Sequence, residues 1–132
     1  MERILSHNKT ILVVEDDEDM RFYFQIILEG EGFDLVMAEN GAEALQIIDS
    51  GRKVDLILLD MVMPVMSGEE FFRILRQERG ARVPIIFCSV DEMRALPLRV
   101  YGTLNGIFLK GHGNQELKEL IYRNLGEVFT PR

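Results

Sequence analysis

The segment Ile11-Leu12-Val13-Val14-Glu15-Asp16-Asp17 sets the architecture of this chain, because a continuous apolar run passes directly into a cluster of acids. Strands without polar alternation are buried on both faces, as in parallel α/β sheets. Similar runs follow at Leu56–Leu59, Val83–Cys88 and Ile107–Leu109, and the more mixed run Phe33–Ala38 is typical of an edge strand. The sequence therefore predicts a buried parallel sheet.

Helical patterns occupy the connections between these runs. They cover Glu18–Glu29, Ala42–Ser50, Gly68–Arg79 and Gln115–Val128. In the last pattern, Leu117 to Val128 repeat apolar residues at helical spacing, and Asn114 is the predicted N-cap. The connection Asp91–Leu104 contains Pro97, which permits at most a short or broken helix.

Alternation of strands and helices predicts a doubly wound sheet with right-handed crossovers and helices on both faces. Five strands fit the flavodoxin-like order 2-1-3-4-5 better than the six-strand Rossmann order. In that order, ligands bind beyond the carboxyl ends of the first and third strands.

Composition narrows the function classes. The chain has 132 residues, and its net charge of −7 argues against direct nucleic-acid binding and against an anionic membrane surface. The length predicts one domain over residues 1–132, with a core from about 9 to 128. A single cysteine, no signal segment and no apolar run of roughly 18 residues predict a cytoplasmic protein without membrane insertion.

Acids occupy the predicted switch point of the sheet. Glu15 and Asp16 follow the first strand, and Asp60 ends the third. Three carboxylates crowded together repel one another unless a cation intervenes or one is protonated, and open oxygen sites suit Mg²⁺. The alternative is a solvated first helical turn that complements the helix dipole, although this does not explain Asp60.

Ser89 and Lys110 follow the fourth and fifth strands at the same edge. A hydroxyl and an ammonium beside a carboxylate–metal centre provide the donors and positive charge that a phosphoryl group requires. Each residue alone is also explained as a turn residue or a solvated strand end. Their occurrence at corresponding strand ends favours phosphoryl chemistry.

These motifs resemble the receiver domain of two-component response regulators over roughly residues 9–128. The resemblance rests on Ile11–Asp17, on Leu58–Gly68 with Pro64 and Gly68 after the acid, and on Pro84–Ser89, Lys110 and Asn40–Leu45. It implies that Asp60 accepts phosphate from a histidine kinase or a histidine phosphotransfer protein. An unknown downstream protein would then read the phosphorylated state.

The resemblance also implies roles for the neighbouring residues. Glu15, Asp16, Asp60 and the backbone carbonyl of Val62 would hold Mg²⁺. Ser89 would contact the phosphoryl group, and Lys110 would pair first with Asp60 and then with the phosphate. Val62 and Asp91 would tune the rate of dephosphorylation.

The chain departs from the family pattern near Lys110. Gly111 replaces the usual cis-proline, so we expect a trans peptide and a lysine aimed differently, since a non-proline cis bond costs roughly 2.5–4 kcal/mol. Ile107 replaces the aromatic switch residue, while Phe108 faces the other side of the strand. Val90 replaces a small alanine.

Helical geometry places Phe22 and Ile26 opposite the apolar stripe of the first helix. They are interpreted either as ordinary exposed or locally packed residues, or as a contact for a kinase, a phosphotransfer protein or a second copy in a homodimer.

We expect a phosphorylation-dependent signalling switch that catalyses only its own phosphoryl transfer and hydrolysis, and is not a conventional enzyme. Because three residues follow Phe129, we expect the signal to pass through non-covalent partners. The alternative is a degenerate receiver that binds partners whether or not Asp60 is modified. A haloacid dehalogenase-type hydrolase would need an aspartate where Val62 stands, and the chain contains no phosphate-binding P-loop motif.

Overall fold

The computed structural model describes residues 8–89, 106–111 and 113–130. Its parallel sheet has the order β2-β1-β3-β4-β5. The strands are β1 (Thr10–Val14), β2 (Asp34–Ala38), β3 (Leu56–Asp60), β4 (Ile85–Ser89) and β5 (Gly106–Leu109). The predicted order is therefore confirmed, with β2 as an edge strand.

The described helices are α1 (Glu18–Gly30), α2 (Gly41–Asp49), α3 (Gly68–Arg73) with a π-helical turn (Ile74–Glu78), and a C-terminal helix (Asn114–Asn124). Side chains cap the first three: Asp17, Asn40 and Ser67 accept hydrogen bonds from backbone N–H groups of their first turns. Within the described part of the chain, no helix has the length and apolar character that crossing a bilayer requires.

The core lies in two layers, one on each face of the sheet. Leu12, Leu59 and Phe87 pack toward α2 and α3, whereas Val13, Leu58 and Phe108 pack with α1 and the C-terminal helix. The central strands are buried on both faces, which is why their sequences lack polar alternation. Ile107 and Phe108 lie in opposite layers, as strand geometry predicts.

The predicted starts of β4 and of the C-terminal helix differ from those in the structure. Strand β4 begins after Pro84 rather than at Val83, because proline has no backbone N–H to donate, although its carbonyl accepts from Ile57 at 2.9 Å. The N-cap of the C-terminal helix is Gly113, and Asn114 is the first helical residue. The side chain of Asn114 instead accepts a 2.6 Å hydrogen bond from the Tyr23 hydroxyl.

The C-terminal helix also ends earlier than its apolar spacing predicts. Gly126 adopts φ +72°, and the N–H of Glu127 donates to the Tyr122 carbonyl at 2.9 Å. This left-handed turn closes the helix, as glycine commonly does at that position. Val128 is consequently 87% exposed rather than part of the helical stripe.

Candidate functional site

The carboxyl ends of β1 and β3 bring three acids together. Glu15 follows β1, Asp16 comes next, and Asp60 is the last residue of β3. One carboxylate oxygen from each lies within 4.8 Å of the others. Glu15 and Asp60 are buried, whereas Asp16 is exposed, so the cluster opens to solvent on one side.

Lys110 supplies the positive charge of the cluster. Its Nζ lies 3.0 Å from Asp60 Oδ1, to which it donates a hydrogen bond, and 2.8 Å from Glu15 Oε1 as an ion pair. The backbone N–H of Lys110 donates to the Ser89 carbonyl at 2.8 Å, which anchors the lysine at the end of β5. No described peptide bond is cis, so the Lys110–Gly111 bond is trans as expected. The expectation that the missing proline would aim the lysine elsewhere is wrong.

The Glu15 carboxyl has a raised pKa. Burial raises its pKa to about 7; the charge of Asp60 raises it as well, while Lys110 and the Asp17 N–H partly offset these effects. For Lys110, burial opposes the charged form, but Glu15 and Asp60 together outweigh burial and raise its pKa. The cluster is therefore a set of mutually dependent charges in which Glu15 titrates near neutrality.

The acids and the lysine line an open pocket of about 250 Å³. Its lining residues are Glu15, Asp16, Asp17, Asp60, Met61, Val62, Ser89 and Lys110. Ser89 is buried at the end of β4, and Val62 is 63% exposed in the loop after Asp60. The structure thus brings together every predicted site residue that it describes in this region. Asp91, Val90 and Pro97 lie outside the described residues.

The loop after Asp60 is held against it by Gly68. The Gly68 N–H donates to the Met61 carbonyl at 3.0 Å. A Cβ on Gly68 would lie 2.0 Å from the Asp60 carbonyl oxygen, far inside van der Waals contact. Glycine at the start of α3 is therefore required for this close approach to the acid.

The donor set of the site fits a hard divalent cation. It consists of carboxylate oxygens with an open side, which is the arrangement that Mg²⁺ prefers because it retains several waters. Glu15 Oε1 is buried and, despite its ion pair, lies outside hydrogen-bond geometry to any described donor. One lysine ammonium balances only one of the three clustered carboxylates, so the remaining negative charge is suited to a cation.

The sequence prediction missed Arg21, which contacts the backbone of the acid-bearing loop. Its Nη1 donates to the carbonyl oxygens of both Glu15 and Asp16 at 2.9 Å. The available signal was a lone arginine five residues after Asp16 in an acidic segment. Because that spacing alone does not say which carbonyls the side chain reaches, only the structure reveals the contact.

Comparison with known proteins assigns the family. The model of the response regulator receiver domain matches residues 11–122 of the chain. The chain belongs to this family. The receiver domain is a signalling module of two-component systems.

Two curated relatives illustrate the settings of such receiver domains. The CAI-1 autoinducer sensor kinase/phosphatase CqsS of Vibrio cholerae is 37% identical over 64% of this chain and 12% of its own length. The DNA-binding response regulator MtrA of Mycolicibacterium smegmatis is 37% identical over 61% of this chain and 35% of its own length. The receiver domain therefore spans only a minor part of these relatives.

A solved structure supports the fold assignment. The response regulator TrrA from Thermotoga maritima, crystallised in complex with Mg²⁺–BeF, is 31% identical to this receiver domain. The two share a TM-score of 0.79 over 88% of this chain and 98% of the other.

Proposed function

We propose that this receiver domain is a phosphorylation-dependent switch in which Asp60 accepts a phosphoryl group from a phosphohistidine donor, in a Mg²⁺-dependent reaction. The observation that carries the proposal is the Asp60 carboxylate, which receives the Lys110 ammonium at 3.0 Å inside an open acidic pocket. The Asp60 side chain is largely buried but lines this open pocket, and the hydrogen bond from Lys110 restrains its carboxylate. A nucleophile for in-line phosphoryl transfer must be accessible to the donor and oriented toward phosphorus.

In the proposed reaction, a carboxylate oxygen of Asp60 attacks phosphorus, and a P–O bond forms as the donor P–N bond breaks. The bonding electron pair goes to the imidazole nitrogen, which takes up a proton. Lys110 then pairs with the phosphoryl oxygens, and the Ser89 hydroxyl donates to one of them. Both residues line the pocket with Asp60, and both act mainly by placing positive charge and a donor where charge develops.

Glu15, Asp16, Asp60 and the carbonyl of Val62 would hold the Mg²⁺ ion. The bound ion would supply the positive charge that balances three carboxylates and the incoming phosphate. Lys110 alone cannot do so, since it brings one positive charge to a cluster with three acids. Val62 and Asp91 would border the path of the water that hydrolyses the phosphoaspartate.

We also propose that a histidine kinase or histidine phosphotransfer protein is the donor and that a further protein reads the switch. Phe22 and Ile26 on α1 are 62% and 58% exposed, in accord with a place in such a contact. Both lie on α1, the helix that directly follows the loop with Glu15 and Asp16.

Phosphorylation of the whole chain by acetyl phosphate tests the proposal. We expect Phos-tag gels and intact mass to show one added phosphate in the presence of Mg²⁺, and none with EDTA or in Asp60→Asn. Asp34→Asn, which changes an exposed carboxylate on β2, is the matched control and should behave as wild type. An unmodified wild-type chain would refute the proposed function.

The second candidate function is a degenerate receiver that binds partners regardless of phosphorylation. Ile107 supports it, because this residue lies half-buried on β5 where the family carries its aromatic switch side chain. Beryllofluoride separates the two candidates. A change in partner affinity on adding this phosphate mimic supports the switch, and equal affinity supports the degenerate receiver.

A further inference from the structure

Arg21 contacts three successive carbonyl groups of the loop that carries the acids. Its Nη1 lies 2.9 Å from the oxygens of Glu15 and Asp16, and its backbone N–H donates to the Asp17 oxygen at 3.0 Å. The first two carbonyls precede α1, so helical hydrogen bonding does not satisfy them. One residue of the first helical turn thereby fixes the whole β1–α1 loop.

The second terminal nitrogen of the Arg21 guanidinium forms an ion pair. Its Nη2 lies 3.5 Å from Glu39 Oε1 in the loop after β2. The Arg21 side chain is 18% exposed, whereas that of Glu39 is 64% exposed. An exposed ion pair at this distance contributes little, so the two carbonyl bonds are the main interactions of the guanidinium.

Fixing these carbonyls determines the direction of two proposed Mg²⁺ ligands. The planes of the peptide groups after Glu15 and Asp16 set how each side chain leaves the main chain. Glu15 has further restraints, because its Oε2 accepts from the Asp17 N–H at 3.2 Å and its Oε1 pairs with Lys110. Asp16 is exposed, so the orientation of its carboxylate depends more strongly on the main chain that Arg21 holds.

We propose that Arg21 is a positioning residue that prearranges Glu15 and Asp16 for a divalent cation. This inference rests on the proposed function. A positioning role and a purely electrostatic role for Arg21 predict opposite changes in Mg²⁺ affinity when the arginine is removed. A nearby positive charge by itself repels Mg²⁺, and its removal would tighten binding. Loss of an arginine that orders the ligands weakens binding instead.

Calorimetric titration of the whole chain with Mg²⁺ at pH 8 tests this sign. We expect Arg21→Gln to raise the Kd about tenfold, within the range for groups that orient metal ligands. Arg21→Lys, which keeps the charge but lacks the planar fork, should fall between Arg21→Gln and wild type. Glu39→Gln is the matched control, since it removes the ion pair and keeps both carbonyl bonds; its Kd should stay within about twofold of wild type.

A second readout separates positioning from general damage to the fold. The Mg²⁺ concentration for half-maximal phosphorylation by acetyl phosphate should rise with the Kd in Arg21→Gln, while the rate at saturating Mg²⁺ changes much less. Urea unfolding in EDTA reports whether each variant is folded. If Arg21→Gln does not fold, Arg21→Lys decides the question, and a wild-type Kd in that variant overturns the inference.

The failures of the two proposals can be told apart. If wild type does not bind Mg²⁺, the proposed function fails and this inference fails with it. If wild type binds Mg²⁺ and Arg21→Gln binds equally or more tightly, the inference alone is overturned.

Discussion

Lys110 Nζ lies 3.0 Å from Asp60 Oδ1, although the two residues are 50 positions apart and no proline follows the lysine. The contact depends on the register of the sheet. Asp60 is opposite Cys88 between β3 and β4, and Ser89 is opposite Leu109 between β4 and β5. The Lys110 N–H then bonds the Ser89 carbonyl, so strand pairing delivers the ammonium to the acid.

Removal of the lysine should therefore destabilise the chain in the absence of Mg²⁺. We expect Lys110→Met to lower the free energy of unfolding by about 2 kcal/mol at pH 8, because Glu15 and Asp60 lose their partner in a partly dry site. Urea unfolding in EDTA measures this. Lys53→Met removes an exposed partner of Asp55 and should have little effect; equal losses in the two variants would contradict the prediction.

Because of Glu15, we expect the free energy of unfolding to decrease as the pH rises. Its folded-state pKa of about 7 lies above the value of 4.5 that applies when the chain is unfolded. The folded chain therefore binds the proton more tightly, and its contribution is complete below pH 4.5 and lost as the pH rises through about 7. In the absence of Mg²⁺, we expect this titration to lower the free energy of unfolding by up to about 3 kcal/mol.

Urea unfolding in EDTA, repeated at several pH values from 4.5 to 8, measures how the free energy of unfolding changes with pH. Glu15→Gln, which cannot ionise, should lose less stability over the interval than wild type, and the exposed Glu119→Gln should retain the wild-type slope. A wild-type slope in Glu15→Gln would show that another group is responsible.

Gly68 should tolerate no side chain. We expect Gly68→Ala to lower the free energy of unfolding by about 3 kcal/mol or more, because the new Cβ would meet the Asp60 carbonyl at 2.0 Å. Chemical denaturation measures the loss, and phosphorylation of Asp60 should fall with it. Gly30→Ala is the matched control, as a Cβ there meets nothing within 4 Å. Similar losses in both variants would mean that the close approach is not the cause.

Val65 should be strained in the loop after Asp60. It has φ +69° and is 81% exposed, so a β-branched residue occupies the left-handed region without packing that compensates. We expect Val65→Asn to raise the free energy of unfolding by about 1 kcal/mol, since asparagine tolerates this conformation. The exposed Val128→Asn should change stability little, and an equal gain there would argue against strain.

Phe22 and Ile26 should be dispensable for folding. The double variant Phe22→Ser/Ile26→Ser should change stability by no more than about 1 kcal/mol, because both side chains are exposed on α1. It should bind more weakly to histidine phosphotransfer domains in a purified panel. Phe24→Ser, at a fully buried position of the same helix, should unfold the chain. Unchanged binding to every domain that binds wild type would remove these residues from the contact surface.

The sequence alone determined the sheet order and the strand ends that carry chemistry. Short apolar runs without alternation that alternate with helical patterns are typical of buried parallel strands, and parallel strands place their carboxyl ends at one edge. Glu15, Asp60, Ser89 and Lys110 could therefore be assigned to a common edge from local patterns. The regular parts of the helices followed in the same way from helical periodicity.

The contacts that depend on register, loop path and side-chain direction became visible only once the chain was folded in three dimensions. Local sequence cannot show that Arg21 reaches two carbonyls or that Gly68 touches the Asp60 carbonyl. It also cannot show that Lys110 meets Asp60 without a proline. These contacts join different segments of the chain, and close packing across the whole sheet fixes how the segments lie relative to one another. Periodicity in the sequence specifies only which face of a helix or strand is buried.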